Sequence, residues 1–524
     1  MHQWNKKSLG LAGLGLLVAL TPLACGDDDD GGSGNTAGTS NNGTSGSGGK
    51  SNGGTSGSGG KSNISGAAGL GGENAGTGGG ASGEGGTGGD GTVAKATLRV
   101  VHASPNAPSV DVYPQGSAVA AAEDLAYGEA SDLIEVEAGT VAFDLRAAGA
   151  DPDDAPAFTS AEIELEGGAE YTVIAAGDFA DPNDADVGFR LLSLEHDFDA
   201  TTAGTAVARI VHATSAWETV DLDIVGSPDV DVPDLERFGD ADNVALPSGA
   251  TIDIDFQNAD GVLSQLVLPK LTAGNELFVI ATGNPGFPFR APANGFALLV
   301  VDQDGAVSWV KENPWLHVVH ASDIGLTDIY ASTHAEVMVN DLAANTMGAF
   351  QLPASTTGFM LRAVDDAAAN GAATALATGA TSSLALGEHY LSYIAGDTIQ
   401  TIHEQFDLEQ PTKALLRGVH AAKVTAIPET LDVGPVVSDA LSSTLLVGIE
   451  PAGSSEDAGV AVNPGNVILG ATATGTTTPL LAQKTLSGAA APVAGETDFV
   501  LVTGTTAAAS IWLVNTSVAG WSLR

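Results

Sequence analysis

The chain has few cysteines, few aromatic residues and few basic residues, and each shortage excludes a class of protein. Cys25 is the one cysteine among 524 residues, which rules out intrachain disulfides and thiolate metal clusters. Aromatic residues make up 5% of the chain, so the cores must be built from aliphatic side chains. Acidic residues outnumber basic ones 64 to 19, for a net charge of -45. Such a surface repels phosphate backbones, and we expect no nucleic-acid partner.

The first 24 residues have the pattern of an export signal. Lys6 and Lys7 precede an apolar run, Leu9 to Leu20, that is too short to remain as a membrane span. The run ends at the sequence LACG around Cys25, which resembles the lipobox of bacterial lipoproteins, with Pro22 at the position where that motif usually has leucine. The resemblance implies acyl chains on Cys25 that bind the membrane, and several chains anchor more firmly than one. An ordinary cleaved secretory signal is the alternative.

A tract of Gly, Ser, Asn and Thr follows the cysteine and defines residues 25–93 as a linker. It lacks the apolar residues needed for a core, so we predict a disordered tether. It would hold the later domains away from the membrane.

The rest of the chain is built around a short stretch that occurs four times. Its histidines are 110, 108 and 100 residues apart, one small domain per copy. The copies are LRVVHAS at 98–104, ARIVHAT at 208–214, LHVVHAS at 316–322 and LRGVHAA at 416–422. We therefore predict repeats at 94–204, 205–313, 314–412 and 413–524, the last being the most divergent.

Short apolar alternations separated by Gly, Pro, Asp and Asn predict an all-β fold. In the first repeat we predict strands at 97–103, 109–113, 131–136, 140–146, 160–165, 169–176 and 187–194. This spacing is typical of an immunoglobulin-like antiparallel β-sandwich, so the chain is predicted to contain four such domains in tandem. Short connectors between the repeats predict a semi-rigid rod.

The first repeat resembles a known family. Residues 99–113 (RVVHASPNAPSVDVY), 137–141 and 169–174 resemble the signature of the domain of unknown function 4397. The resemblance implies a β-rich extracytoplasmic module, often tandem and often lipid-anchored in bacteria. It implies no reaction.

The recurring histidines are interpreted as structural. His102 shares a strand face with Leu98 and Val100, because strand side chains alternate with period two. We expect each repeat histidine to lie at the edge of a core and to bond a backbone carbonyl or a carboxylate. The histidines are His102, His212, His320 and His420, and the aspartates proposed as partners are Asp111, Asp221 and Asp328.

Neither hydrolysis nor zinc binding is favoured. Ser104 and Ser322 follow a repeat histidine by two residues, but Thr214 and Ala422 take that position elsewhere, and no Gly-x-Ser-x-Gly motif occurs in the repeats. Zinc would need clustered histidines or cysteines, and the histidines are scattered.

Calcium and ligand binding stay open. Acidic loops offer hard oxygen ligands, although none fits the twelve-residue calcium loop. The calcium candidates are Asp151, Asp153, Asp154, Asp181, Asp184, Asp186, Asp302 and Asp304, with the loop 229–234. Trp217, in a turn of the second repeat, is a weak candidate for ligand contact, and a core role is the alternative.

The sequence therefore predicts a non-enzymatic, lipid-anchored envelope protein, exposed on the outer membrane or facing the periplasm. Adhesion to a protein or polysaccharide ligand is the leading hypothesis. A structural spacer or coat is the alternative, and a hydrolase in a degenerate repeat is the weakest.

Overall fold

The computed structural model describes residues 93–199, 202–291, 294–332, 336–365, 374–423, 426–427, 429–505 and 508–524. These residues form strands and turns, and a 3-10 turn, Gly488–Ala490, is the helical element among them. The all-β prediction is confirmed. The signal segment, Cys25 and the linker to residue 92 lie outside the described residues. No helix in the described part of the chain has the length and apolar character needed to cross a membrane.

The strands fall into four successive groups. Repeat 1 contains β1 (Lys95–His102), β2 (Val110–Pro114), β3 (Ala122–Leu125), β4 (Ile134–Glu137), β5 (Gly139–Val141), β6 (Phe143–Ala147), β7 (Phe158–Thr159), β8 (Ile163–Leu165), β9 (Glu170–Ala176) and β10 (Arg190–Glu195). Repeat 2 contains β11 (Thr205–His212), β12 (Thr219–Ile224), β13 (Val232–Glu236), β14 (Asp240–Pro247), β15 (Ile252–Asn258), β16 (Gly261–Leu268), β17 (Glu276–Thr282), β18 (Ala297–Asp302) and β19 (Val307–Lys311). All seven strands predicted for repeat 1 overlap observed strands, and β3 and β7 were missed.

The second half of the chain continues the pattern. Repeat 3 contains β20 (Trp315–His320), β21 (Thr327–Ala331), β22 (Val339–Leu342), β23 (Met347–Gln351), β24 (Met360–Asp365), β25 (Ala377–Ala380), β26 (His389–Ala395) and β27 (Thr398–His403). Repeat 4 contains β28 (Ala414–His420), β29 (Leu431–Val437), β30 (Ala440–Leu441), β31 (Leu446–Ile449), β32 (Val460–Val462), β33 (Val467–Ala473), β34 (Ala482–Leu486), β35 (Thr497–Thr505), β36 (Ala508–Asn515) and β37 (Ser522–Leu523).

Repeats 1, 2 and 4 each contain two main sheets. In repeat 3 the pairing of Thr378 in β25 with Thr398 in β27 joins the strands into one eight-stranded sheet, with the order β22-β21-β24-β25-β27-β26-β20-β23. The sheet that contains the opening strand, here called the inner sheet, has the order β10-β9-β1-β4 in repeat 1, and the outer sheet has the order β3-β2-β6-β7. Strand pairs are antiparallel except that β1 runs parallel to β9, from Thr97 opposite Glu170 to His102 opposite Ala175. The same parallel pair recurs as β11 with β17, β20 with β26 and β28 with β35. Repeat 4 therefore keeps the inner-sheet arrangement despite its divergent sequence.

Alternation along the opening strand fills the core between the two sheets. Leu98 and Val100 are fully buried and pack with Val112 and Phe143 of the outer sheet. Aliphatic residues at the equivalent positions form the cores of the other repeats. Burial of an aliphatic side chain of this size contributes roughly 1.5–3 kcal/mol, so a few such residues per strand determine which face points inward.

The opposite face of the inner sheet is buried as well, because the repeats pack in pairs. Val101 and Ile174 of repeat 1 meet Val211, Ile280 and other residues of repeat 2 in a separate apolar core. Repeats 3 and 4 pair in the same way through residues that include Leu391, Tyr393, Val419, Phe499 and Leu501. The short connectors are therefore not the only link between repeats, because paired repeats also bury apolar surface against each other. The described residues of the four repeats belong to one compact unit.

An arginine of the opening strand crosses each pair interface. Arg209 donates from Nη1 to the carbonyl oxygen of Glu195, at 2.8 Å, and Arg417 does the same to His403, at 2.7 Å. Both acceptors end the last strand of the preceding repeat. These arginines point away from the repeat's own core and toward the neighbouring repeat.

Candidate functional site

The four repeat histidines are fully buried, and three of them bond a backbone carbonyl. Nε2 lies 3.1 Å from the Pro108 oxygen in His102, 2.8 Å from the Gly325 oxygen in His320 and 3.2 Å from the Glu429 oxygen in His420. The backbone N–H of Ser104 donates to Nδ1 of His102, so Nε2 carries the proton and donates to the carbonyl. Burial lowers the pKa of His102 and His420. These imidazoles fasten a loop to the opening strand.

His212 differs from the other three repeat histidines. Neither of its ring nitrogens has a hydrogen-bond partner, although the residue is fully buried. Burial, together with the nearby positive charge of Arg237, lowers its pKa to about 4. The ring is therefore neutral near pH 7 and acts as core filling.

The prediction that Asp111, Asp221 and Asp328 are partners of these histidines is wrong. Each accepts a backbone N–H from the residue 13 positions later, from Asp124 at 2.7 Å, Asp234 at 2.8 Å and Asp341 at 3.0 Å. Those three donor residues have positive φ angles of 50°, 51° and 53°. The aspartates thus hold a left-handed turn in each outer sheet, where a lone N–H would otherwise have no partner.

Two of the hydroxyl groups that follow the histidines are occupied. Ser104 Oγ donates to the carbonyl of Gly177 at 2.7 Å, and Thr214 Oγ1 donates to that of Gly283 at 2.9 Å. A serine nucleophile needs its proton taken by the histidine, but in repeat 1 the hydroxyl and the imidazole both bond backbone carbonyls. In repeat 3 the Ser322 hydroxyl is buried without a hydrogen-bond partner, while Nε2 of His320 bonds the Gly325 carbonyl.

The acidic loops hold their own turns. Asp151 Oδ1 accepts from the amide of Asp153, Asp184 Oδ1 from those of Asp186 and Val187, and Asp302 Oδ1 from those of Asp304 and Ala306. The backbone carbonyls of Asp151 and Asp181 accept the amides of Asp154 and Asp184. Among the described residues, no three His, Cys, Asp or Glu side chains are placed to hold a metal ion. Calcium stays a prediction.

Trp217 lies in the core of repeat 2. Its ring contacts Phe296 edge-on at 4.8 Å between centroids and stacks on Phe256 at 6.5 Å. It is half-buried against the same apolar cluster. The ring therefore fills the end of the sandwich, and its role as a ligand contact has no support from this geometry. Cys25, the lipidation candidate, lies outside the described residues.

A cleft lies at the meeting point of repeats 2, 3 and 4. Its volume is about 440 Å³. We call it the junction cleft and define it by 284–288 of repeat 2, 404–413 at the end of repeat 3, and Leu415, 495–497 and 516–517 of repeat 4. No histidine or cysteine lines it.

One wall is a loop of repeat 2 that contacts all three other repeats. This bridging loop (283–291 and 294–295) donates from the Phe289 amide to the Gly387 carbonyl at 2.7 Å and from Asn294 Nδ2 to the Pro105 carbonyl at 2.8 Å. Gly286, with φ of 82°, lies so close to repeat 4 that a Cβ would come within 2.6 Å of the Gly520 nitrogen. Only glycine fits there.

Arg290 of the bridging loop binds the buried carboxylate at the back of the cleft. Its Nη2 pairs with Glu404, and its Nη1 donates to the Glu404 carbonyl at 3.0 Å. Glu388 lies 3.5 Å from Arg290 and accepts a hydrogen bond from His403 at 2.9 Å. The Glu404 side chain is 2% exposed, and an ion that deeply buried requires such a partner.

The remaining lining is apolar with a polar edge. Phe287, Pro288, Leu408, Pro411 and Leu415 supply apolar surface. Along the edge, the Thr497 and Thr516 hydroxyls lie 2.6 Å apart. Asp407 accepts from Gln410 Nε2 at 2.9 Å and from the Glu409 amide, and these bonds lower its pKa. Asp407 is thus held as an anion by its hydrogen bonds, and Glu404 is paired with Arg290. This arrangement suits binding better than proton transfer.

A second buried cluster joins repeats 2 and 3 near the bridging loop. Glu312 Oε2 accepts from Ser264 Oγ at 2.9 Å, Trp315 Nε1 at 2.9 Å and Gln351 Nε2 at 3.3 Å. His389 Nε2 lies 3.7 Å from the other oxygen of Glu312. Close by, His317 stacks on Trp521 of repeat 4 at 3.9 Å, and burial holds its pKa well below the usual value. These contacts fix the walls of the junction.

Sequence reasoning missed the residues of this junction. Phe287, Arg290 and Glu312 belong to repeat 2 and Glu404 belongs to repeat 3, and none has an equivalent that recurs in step. One signal was present. The chain between β17 and β18 is long, whereas β26 and β27 of repeat 3 are joined by a tight turn.

Comparison with known proteins gives one family match. A family model described as "Domain of unknown function (DUF4397)" matches residues 96–223, which cover repeat 1 and the start of repeat 2. The resemblance inferred from the opening run is confirmed over those residues. The search of curated proteins found no match.

Among solved structures, the chain is similar to one described as "Product complex of a multi-modular glycogen-degrading pneumococcal virulence factor SpuA". The identity is 8%, the alignment covers 51% of this chain and 36% of that chain, and the TM-score is 0.13. At that score the likeness carries no argument about this chain.

Proposed function

We propose that this protein is a non-catalytic binding protein of the cell envelope that captures a ligand in the junction cleft. The observation that carries the proposal is the cleft itself. Three repeats enclose it around the bridging loop, and Glu404, Thr497 and Thr516 in its lining already have partners within the protein. Binding energy then comes from burial of apolar ligand surface, while the hydroxyl edge orients the ligand. The all-β structure and the family match are consistent with a non-catalytic cell-surface protein.

The lining favours one end of a protein or polysaccharide chain as the ligand. The apolar surface of Phe287, Leu408 and Pro411 suits a flat apolar face, and the Thr497 and Thr516 hydroxyls suit a hydrogen-bonding edge. Glu404 and Asp407 outnumber Lys413 in the lining and disfavour an anionic ligand, as does the net charge of -45.

The proposed location is the outer membrane, with acyl chains on Cys25 and the repeats facing outward. Export is supported by the apolar run before Cys25, and distance from the membrane by the length of the linker. Periplasmic exposure is the alternative. Protease treatment of intact cells separates the two, because outward repeats are released while the acylated Cys25 peptide stays in the membrane. Repeats that remain shielded until the envelope is broken contradict outward exposure.

A cleft-filling variant tests the binding proposal. Gln410→Trp places an indole in the cleft. Gln405→Trp places the same ring at a nearby exposed position that does not line the cleft. On arrays of envelope glycans and peptides probed with the full chain, we expect Gln410→Trp to lose the signal that wild type and Gln405→Trp retain. Equal signals from both variants would place binding elsewhere.

A spacer with no specific ligand is the second candidate. It is favoured by the signature residues, because His102, Asp111 and Ser104 all make contacts within the fold. No array signal from wild type, together with normal surface exposure, would support this function over ligand capture.

A further inference from the structure

A groove runs along one open side of the repeat 1 sandwich. Two contiguous cavities of about 870 and 550 Å³ lie there and share Val119, Ala121 and Ile134 in their walls. We call this site the edge groove. One wall is the segment 114–125, which ends in β3, and the other is the segment 128–137, which ends in β4. Val119 is 75% exposed at its rim.

Both walls are edge strands. β3 ends the outer sheet and β4 ends the inner sheet. Two backbone hydrogen bonds show which way the N–H and C=O groups of β4 point. The N–H of Ala138 donates to the carbonyl of Ala94, and the N–H of Thr97 donates to the carbonyl of Ala169 on the other side of β1. Since backbone bonds alternate along an antiparallel pair, Ile134 and Val136 bond to β1, and the N–H and C=O groups of Glu135 and Glu137 point outward into the groove.

The chain that leads into β4 also bonds to the opening strand. The backbone N–H of Ser131 donates to the Val100 carbonyl at 2.8 Å, and that of His102 donates to the Glu129 carbonyl at 2.9 Å. After a break at 132–133, β4 pairs with Lys95 to Leu98. The wall formed by 128–137 is therefore held to β1 on its inner side.

The groove is acidic. Its lining includes Glu123, Glu129, Asp132, Glu135 and Glu137, and no lysine, arginine or histidine. Lys95 pairs with Glu135 at 2.7 Å and offsets one of these charges. The floor is made of small residues between 118 and 122, which allow another backbone to approach closely.

We infer that the edge groove binds an extended cationic peptide segment of a partner protein, which adds as a strand to β4. The outward groups of Glu135 and Glu137 supply the main-chain hydrogen bonds, and the acidic rim selects lysine or arginine on the partner. This surface is separate from the junction cleft and does not depend on it.

The test uses the full chain and synthetic peptides of about ten residues in which lysine or arginine alternates with valine or alanine. Glu135→Pro removes the outward N–H without removing a bond to β1, and proline is tolerated at such an edge. Glu135→Ala loses the same carboxylate and the pair with Lys95 but keeps the N–H. We expect Glu135→Pro to weaken peptide binding at least about ten-fold relative to Glu135→Ala.

Several results would overturn the inference. One is equal affinity for Glu135→Pro and Glu135→Ala, and another is no binding of any cationic peptide to the wild type. A third is equal binding of a cationic polysaccharide, which offers no strand, with the same response to both variants. In that case charge alone attracts the ligand.

Hydrogen exchange on the wild type keeps the inference testable if Glu135→Pro does not fold. Peptide binding is expected to slow exchange of the Glu135 and Glu137 amides, with little change for Ile134 and Val136, which already bond to β1. Unchanged exchange at Glu135 and Glu137 while the peptide is bound would exclude strand addition.

Discussion

The guanidinium of Arg417 donates a hydrogen bond to the backbone carbonyl of His403, 2.7 Å away across the interface between repeats 4 and 3. Arg209 and Glu195 repeat the same relationship between repeats 2 and 1. An arginine of the opening strand thus bonds the neighbouring repeat, whereas the histidine three residues later is buried within its own repeat. This division explains how the repeats pair face to face.

Arg417 is expected to stabilise the pairing of repeats 3 and 4. Its side chain is 3% exposed and also bonds Ser454 and Asp457. Arg417→Leu should lower the free energy of unfolding by about 2–4 kcal/mol, because it leaves a buried carbonyl without its charged donor. The matched variant Lys270→Leu removes an exposed charge and should change stability by less than about 0.5 kcal/mol. Equal denaturation midpoints for both variants would contradict this role.

Replacement of His212 should raise stability in acid. Its pKa of about 4 lies below the ordinary value near 6.5, so the unfolded chain binds more protons. The stabilising contribution is complete above pH 6.5 and is lost as the pH falls toward 4. His212→Leu should therefore gain about 2 kcal/mol over wild type at pH 5.

His102→Leu is the control for His212→Leu. It removes the bonds to Pro108 and Ser104, so it should be destabilising at pH 7, where His212→Leu is close to neutral. Urea unfolding of the full chain at pH 5 and 7 measures both. A pH-independent effect of His212→Leu would be inconsistent with a buried neutral imidazole.

Asp498 should give the opposite pH dependence. It is fully buried beside Glu496, both carboxylates share Nη2 of Arg524, and burial raises the Asp498 pKa to about 7. The folded chain therefore binds more protons than the unfolded chain, whose carboxyl has a pKa near 3.8. This contribution is complete below pH 3.8 and is lost as the pH rises through 7.

Asp498→Asn should remove that slope and raise stability at pH 8 by at least about 1 kcal/mol. Arg524→Gln should destabilise at pH 8, because two buried carboxylates then lose their cation. Thermal unfolding between pH 5 and 8 checks both variants. If Asp498→Asn destabilises at pH 8, Asp498 is held as an anion.

Asp111 should be more important for stability than the exposed aspartates of the acidic loops. Asp111→Ala releases the amides of Asp124 and Gly149, which bond its two oxygens at 2.7 and 2.9 Å. We expect a loss of about 2–4 kcal/mol, and less than about 1 kcal/mol for Asp151→Ala on the surface. Asp124→Gly relieves the left-handed backbone and should be neutral or slightly stabilising. Similar losses for Asp111→Ala and Asp151→Ala would disprove the anchoring role.

Sequence reasoning predicted the strands well because their signals are local. The alternation of Leu98, Val100 and His102 placed those residues on one face, and that face is the core. Turn residues marked most strand ends in repeat 1. The partners of Asp111 and His102 were not predictable, because they are backbone groups, and any residue type can supply those.

The sequence by itself determined the repeats, the all-β class and the buried face of each opening strand, since period-two alternation needs only a chain and a core. Only the tertiary structure decided what the opposite face meets. Alternation shows that Arg209 and Val211 share a face, but not whether water or another repeat covers it. For the same reason, the junction cleft could not be predicted from the sequence. Phe287, Glu404 and Thr497 come together only when three sandwiches pack, and packing depends on complementary surfaces that no local pattern encodes.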